Sequence, residues 1–204
     1  MDMKDQDAPH PVGRPRRFEV HEALDRALNV FRRRGYEGAS LSELTRAMGI
    51  NRPSLYAAFG DKEALFRKVV DRYFEGPAAY VRQALKEPTA RAVVERLLYG
   101  SAEIQTAPGS PPGCLAVQGA LACGRAAEPV RQVLIGRRHD MEAALVRRLR
   151  QARRRGDLPA SCNPADLARY VITVILGMAV QAAGGARRNE LERMVRIALQ
   201  AWPK

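Results

Sequence analysis

Arg52, Pro53 and Ser54 sit in the stretch GINRPSLYAAFGDKE at 49–63, which carries more punctuation than a single helix needs. Asn51 is placed to cap a helix with its side-chain oxygen. Pro53 in the first turn costs little, because an amide there has no intrahelical acceptor. With Leu55 and Phe59 turned inward at helical spacing, Arg52, Pro53 and Ser54 are free to face outward. A helix-turn-helix unit uses this geometry to put the N-terminal residues of its second helix into the major groove of DNA. Leu44 and Met48 anchor the preceding helix, Ile50 plugs the turn and Leu55 pins the second helix beneath them. Gly49 allows the positive φ that a short turn between crossed helices requires. An ordinary α-hairpin in a helical bundle has the same local pattern, so two readings stay open on geometry alone.

Two further residues offer chemistry. Cys114 follows Pro111-Pro112-Gly113 and opens the segment CLAVQGALAC. Backbone amides at a helix start can lower a thiol pKa, and a thiolate there could meet an oxidant or electrophile. A small cysteine packing at a helix start is the plainer reading. Arg138 falls on the inward stripe Val130, Leu134, Met141, Leu145 and Leu149, beside Arg137 and His139. An arginine on an apolar face either pairs internally or meets an anionic ligand. Cys123 and Cys162 suggest only packing or exposure, and Arg147, Arg148, Arg150 and Arg153 to Arg155 read as a solvated helix end.

Catalytic signals are missing. His10, His21 and His139 are widely spaced, and no metal-ligand pair, phosphate-cradling glycine loop, nucleophile elbow or CxxC occurs. No enzyme activity, metal or cofactor is expected.

The elements that must hold these residues are helices. Glycine and proline divide the chain into apolar blocks of helical spacing, with no alternation of the strand kind. Residues 19–34 form the first, with Gly35 as its stop. Ser40 opens a short helix as N-cap, with Glu43 reaching back in a capping box. Asn51 opens the next, and Asp61 caps a fourth running to about Phe74. Further blocks fall near 78–86, 89–106, 115–124, 127–155, 164–183 and 188–201. The fold class is all-α.

Composition agrees. A hydrophobic share of 46% in 204 residues is ample for a core. Three cysteines without paired spacing read as reduced thiols. The polar opening MDMKDQDAPHP shows no secretory signal. The longest apolar run, at 170–180, falls short of the about 20 residues that cross a bilayer. A cytoplasmic protein without membrane contact is expected. The net charge of +12 is unevenly placed: residues 1–76 hold 14 Lys/Arg against 12 Asp/Glu, and residues 77–204 hold 20 against 10. DNA binding therefore rests on local placement rather than bulk charge.

Residues 14–74 resemble the N-terminal domain of the TetR family of bacterial transcription regulators. The resemblance is carried by GRPRRF at 13–18, ALNVFRRRGYEGASLSELTRAMGI at 27–50 and SLYAAFGDKEALF at 54–66. It implies that Arg52, Pro53 and Ser54 face bases, where arginine can grip guanine and proline can touch a thymine methyl. Tyr56 matches a phosphate-binding tyrosine, and Lys62 a lysine that meets backbone phosphate. Ser40 and Ser42 match phosphate donors of the preceding helix. Ala58 stands where the family often has histidine, and Thr45 where it usually has alanine. The arm holding Arg14, Arg16 and Arg17 either follows the DNA or is a solubilising tail.

The resemblance also implies three parts: a flexible basic arm at 1–17, a helix-turn-helix domain at 18–75, and a ligand-binding and dimerisation domain at 76–204. The expected partners are a palindromic double-stranded operator, a small-molecule effector and a second copy of the chain. The effector would lie among 89–106, 115–124 and 127–155, near Arg138, Met141 and Cys114. Two-fold symmetry requires a dimer interface. The helix at 164–183, apolar nearly all round, is the candidate, with Tyr170, Val171, Val174, Ile175 and Met178 joined by Met194 and Ala198 from the last helix. Alternatively, one subunit's core covers them all.

Overall fold

The computed structural model describes residues 17–121 and 127–203, and among these it contains helices and no strand. The first four are α1 (Arg17–Gly38), α2 (Leu41–Met48), α3 (Arg52–Phe59) and α4 (Lys62–Glu75). A 3-10 turn at Pro77–Ala79 leads into the short α5 (Tyr80–Ala84) and then α6 (Ala90–Gln105). The remaining helices are α7 (Leu115–Leu121), α8 (Glu128–Arg154), α9 (Pro164–Ala183) and α10 (Arg188–Gln200).

Side-chain caps set the starts of the short helices. Ser40 Oγ accepts from the Glu43 amide, Asn51 Oδ1 from Ser54 at 2.8 Å and Asp61 Oδ1 from Ala64 at 2.7 Å. Each such cap stabilises by roughly 1 kcal/mol. Gly49 closes α2 at φ 71°, so the chain turns sharply enough for α3 to cross beneath.

Three local expectations need correction. Gly35 breaks α1 with φ 68°, but the helix resumes through Gly38 rather than stopping. Glu43 does not complete a capping box; its carboxylate turns to Arg34 at 3.3 Å, an ion pair within its reach. The block at 78–86 is a 3-10 turn followed by barely more than one helical turn, because the chain breaks at Gly76-Pro77.

The core forms two clusters. The first fills the space inside α1–α4 and also takes Leu115, Val130 and Leu134 from α7 and α8. The hydrophobic contacts of the N-terminal unit thus continue past residue 75. Within it Phe66 meets Phe31 edge-on at 4.9 Å and Tyr36 at 5.2 Å, pairs worth about 0.5–1.5 kcal/mol each beyond area burial. Arg72 grips Asp25 with two bonds of 2.8 Å, tying α4 to α1. The second cluster joins α5 and α6 to the C-terminal half of α8 and to α9, α10 and Trp202.

α9 is long and apolar enough to span a membrane by composition. Its run is longer than the eleven-residue stretch suggested, because a helix counts Pro164–Ala183 as one unit. Its residues Ala168, Val171, Ile172, Ile175, Met178, Ala179 and Ala182 are instead buried in this fold.

Candidate nucleic-acid interface and effector cavity

Of the eight residues of α3, only Leu55 and Phe59 are buried. Arg52, Pro53, Ser54, Tyr56, Ala57 and Ala58 all face solvent, and the Tyr56 ring is half exposed. A helix packed only as core would not leave that surface bare. Arg52 Nη2 donates to Ser42 Oγ at 2.8 Å, so two residues from different helices are already joined at the outer face. Ser40 is exposed and uses its oxygen lone pairs for the cap, leaving its hydroxyl proton free to donate. Thr45, which is buried, satisfies its hydroxyl within its own helix on Leu41 O at 2.9 Å. The departure from alanine there is accommodated without an orphaned group.

Lys62 lies over the Tyr36 ring at 4.7 Å and donates to Glu37 O at 3.4 Å. Partial burial lowers its pKa, and Glu37 opposes that shift. Lys68, which the motif did not single out, rests over Phe59 at 5.6 Å beside the end of α3. Arg14 and Arg16 lie outside the described residues, and Arg17 begins α1 with its side chain undescribed.

The three expected ligand-binding residues meet at one place. Cys114, Arg138 and Met141 line a small cavity of about 50 Å³ with Tyr73, Tyr80, Gln105 and Ile175. Arg138 Nη1 donates to the Ala116 carbonyl at 3.2 Å, and no carboxylate pairs with it among the described residues. Arg137 beside it pairs with Asp71 and lies over Phe74 at 5.6 Å. The Tyr73 hydroxyl donates to Cys114 Sγ at 3.5 Å. Burial, then the neighbouring Cys114, push the Tyr73 pKa well up, and burial does the same to Tyr80 although its Ser101 hydrogen bond opposes it. Tyr80 fits only because α6 has a glycine facing it: a Cβ on Gly100 would stand 2.5 Å from the ring.

Tyr73, Tyr80, Ser101 and Gln105 were missed from the sequence. A signal existed for two of them. Ser101 and Gln105 interrupt the buried stripe Val94, Leu97, Leu98 and Ala102 of α6, and a polar pair four apart on a core face has to answer to something.

The expected interface residues divide. Val171, Ile175, Met178 and Ala198 turn into the subunit's own core, where α9 packs on α6, α8 and α10. They are corrected as interface candidates, since the apolar all-round helix resolves into an inward face they occupy. Tyr170 and Met194 remain exposed and Val174 half-buried. The apolar surface left bare on α9 and α10 is carried by Val180, Met194 and Ile197, of which sequence reasoning had named only Met194 for the interface.

An exposed second helix and a capped turn, packed against a larger helical bundle, are the parts of a helix-turn-helix DNA-binding regulator. The family model of bacterial regulatory proteins of the tetR family matches residues 23–69, and that of the tetracyclin repressor-like C-terminal domain matches residues 91–198. The chain belongs to the TetR family of transcriptional regulators. It is 32% identical to the HTH-type transcriptional repressor ComR of Escherichia coli over 94% of this chain and 92% of that protein. It shares the fold of a cysteine mutant of the TetR family regulator CifR complexed with 26-base-pair operator DNA, at 42% identity and TM-score 0.88. That likeness covers 93% of this chain and all of the other. A putative TetR regulator from Rhodococcus sp. RHA1 matches at 41% identity and TM-score 0.63, over 89% of this chain and 98% of that one. The protein is a DNA-binding regulator and not an enzyme. Among the described residues there is no cluster of metal-ligating side chains.

Proposed function

We propose that the protein is a dimeric cytoplasmic repressor that reads a palindromic operator through α3 and lets go when a small molecule enters the cavity. The exposed Arg52, hydrogen-bonded across to Ser42, is the observation that carries the reading. Its guanidinium stands at the helix start, where a major groove would receive it, and bidentate contact to guanine is its commonest base reading. Ser42, Tyr56 and Lys62 supply phosphate donors on either side, and Ser40 and Ser54 add hydroxyls. Arg14, Arg16 and Arg17 are charged for contact with the DNA backbone.

Two subunits meet through the exposed apolar faces of α9 and α10, with Val180, Met194 and Ile197 at the centre and Tyr170 and Val174 beside them. Tyr170 also holds α9 to α10 by donating to Ala198 O at 3.1 Å. Selecting bound fragments from the source genome tests the reading. A single palindrome retained against a large excess of unrelated DNA is expected, and binding proportional only to fragment length would refute it.

A second reading has its own observation. Cys114 Sγ lines the cavity with the Tyr73 hydroxyl donating to it. An electrophile in the cavity could be trapped by the thiol, and release would then be covalent. Cys114→Ser separates the two: loss of release with the electrophile supports trapping, whereas unchanged release by a small molecule leaves Cys114 as packing.

A further inference from the structure

Gln105 is only 3% exposed and lines the cavity wall. Its Nε2 donates to Ser101 Oγ at 2.7 Å and to the Ile175 carbonyl at 3.2 Å. A backbone carbonyl only accepts, so the amide cannot turn over without setting oxygen against oxygen. Oε1 is therefore the amide atom left over, and it is buried without a partner. Buried acceptors are nearly always paired, so this one needs an external donor.

No donor among the described residues reaches this oxygen: the Tyr73 hydroxyl goes to Cys114, and Arg138 Nη1 goes to Ala116 O. An anion at this point would meet the amide oxygen with another oxygen. Around it the walls are mostly apolar, with both tyrosines kept protonated by burial; the cations there are Arg137, paired with Asp71, and Arg138, held on the Ala116 carbonyl.

The wall that carries Gln105 is wired to the DNA-reading unit. Gln105 O accepts from the Gly113 amide at 2.9 Å, and Gly113 O accepts from Arg32 Nη2 at 3.0 Å. Arg32 belongs to α1, is 5% exposed, and has its Nε without a partner. Its buried guanidinium cannot release Gly113 O without a large electrostatic loss. The cavity of about 50 Å³ has room for water, whereas pockets for organic ligands run to about 300–1,000 Å³. An organic occupant must therefore move the walls.

Resting on the reading of this cavity as the effector site, we propose that the effector is a small molecule with an apolar body and one hydroxyl or N–H. That group donates to Gln105 Oε1, and entry is transmitted to α1 through Gly113 and Arg32. The donor fixes which molecules enter, and the displaced wall shifts α1, on which α2 and α4 pack.

Three probes of one shape test this on the full chain by calorimetry and melting temperature: cyclohexanol, methoxycyclohexane and cyclohexanecarboxylate. The wild type should bind the alcohol about tenfold more tightly than the ether, as one hydrogen bond to a buried acceptor allows. Gln105→Leu should bind both alike, and Cys114→Ser should keep the preference. Equal binding of alcohol and ether by the wild type, tighter binding of the carboxylate, or no response to any probe overturns the proposal. Arg32→Met should bind the alcohol as before yet stay on the operator; release at the wild-type alcohol concentration would overturn the transmission route. The alcohol-to-ether ratio is read without DNA, so a failed operator selection would remove the repressor reading and leave this test standing.

Discussion

Arg52 and Gln105 are both polar residues at helix ends, the first opening α3 and the second closing α6. One lies on bare surface and the other inside the core. Arg52 is oriented by a neighbour ten residues away, Ser42, within a unit whose caps all lie three residues from the amides they satisfy. Gln105 is held by Ser101 in its own helix and by Ile175, seventy residues on. The reading face is thus made by short-range hydrogen bonds that leave donors for a partner outside. The cavity is made by long-range packing that leaves one acceptor for a partner inside. In the proposed reading, affinity for DNA and its modulation are set by different residues.

The sharpest way to break the comparison is to place one charge on each side of α9 and α10. Ile175→Asp puts a carboxylate into the second core and should cost about 4 kcal/mol or more, read as a collapse of the melting transition. Ile197→Asp, on the exposed face, should leave the fold of each subunit intact. It should instead give monomers by light scattering and abolish operator binding at concentrations where the wild type is saturated. If Ile197→Asp stays dimeric, the interface lies elsewhere.

Smaller effects sharpen the reading face. Arg52→Ala should weaken binding by about 1–3 kcal/mol and relax specificity at particular base pairs. Lys62→Ala should instead weaken all sequences alike and reduce the slope of log affinity against log salt by about one. Equal, sequence-independent losses from both would remove α3 as the reader.

On the cavity side the test is alkaline. Tyr73 and Tyr80 have raised pKa values, so above about pH 10, the ordinary tyrosine value, the unfolded chain loses protons that the folded chain keeps. Stability should then fall as pH rises, by up to about 1.4 kcal/mol per pH unit for each tyrosine. Tyr73→Phe should make that fall shallower in denaturant melts between pH 9 and 11. An unchanged slope would mean that Tyr73 ionises freely. The smallest effect belongs to a cap: Asn51→Ala should cost about 1 kcal/mol, because the Ser54 amide loses its acceptor.

The starts of α2, α3 and α4 were legible because they depend on neighbours, whereas the stop read at Gly35 was not one. Asn51, Asp61 and Gly49 announce their roles through residues within four positions, and the inward Leu55 and Phe59 leave Arg52 outward by periodicity alone. α9 was not legible in the same way. Its residues are apolar on nearly every side, so periodicity could not say which face meets the subunit's own core. Only the docking of α6, α8 and α10 placed Val171, Ile175 and Met178 inside and left Val180 bare.

From sequence alone came the all-α class, the capped turn, the outward reading residues and the family. Each follows from local spacing, caps and turns, or from a motif spread over a short continuous span. Tertiary structure decided that Cys114, Arg138 and Met141 share one cavity, that Arg138 answers a backbone carbonyl, and that Gln105 holds an unpaired oxygen among them. Those facts depend on which distant helices come into contact, and a side chain's hydrogen-bond partner seventy residues away leaves no periodic mark in the chain that carries it.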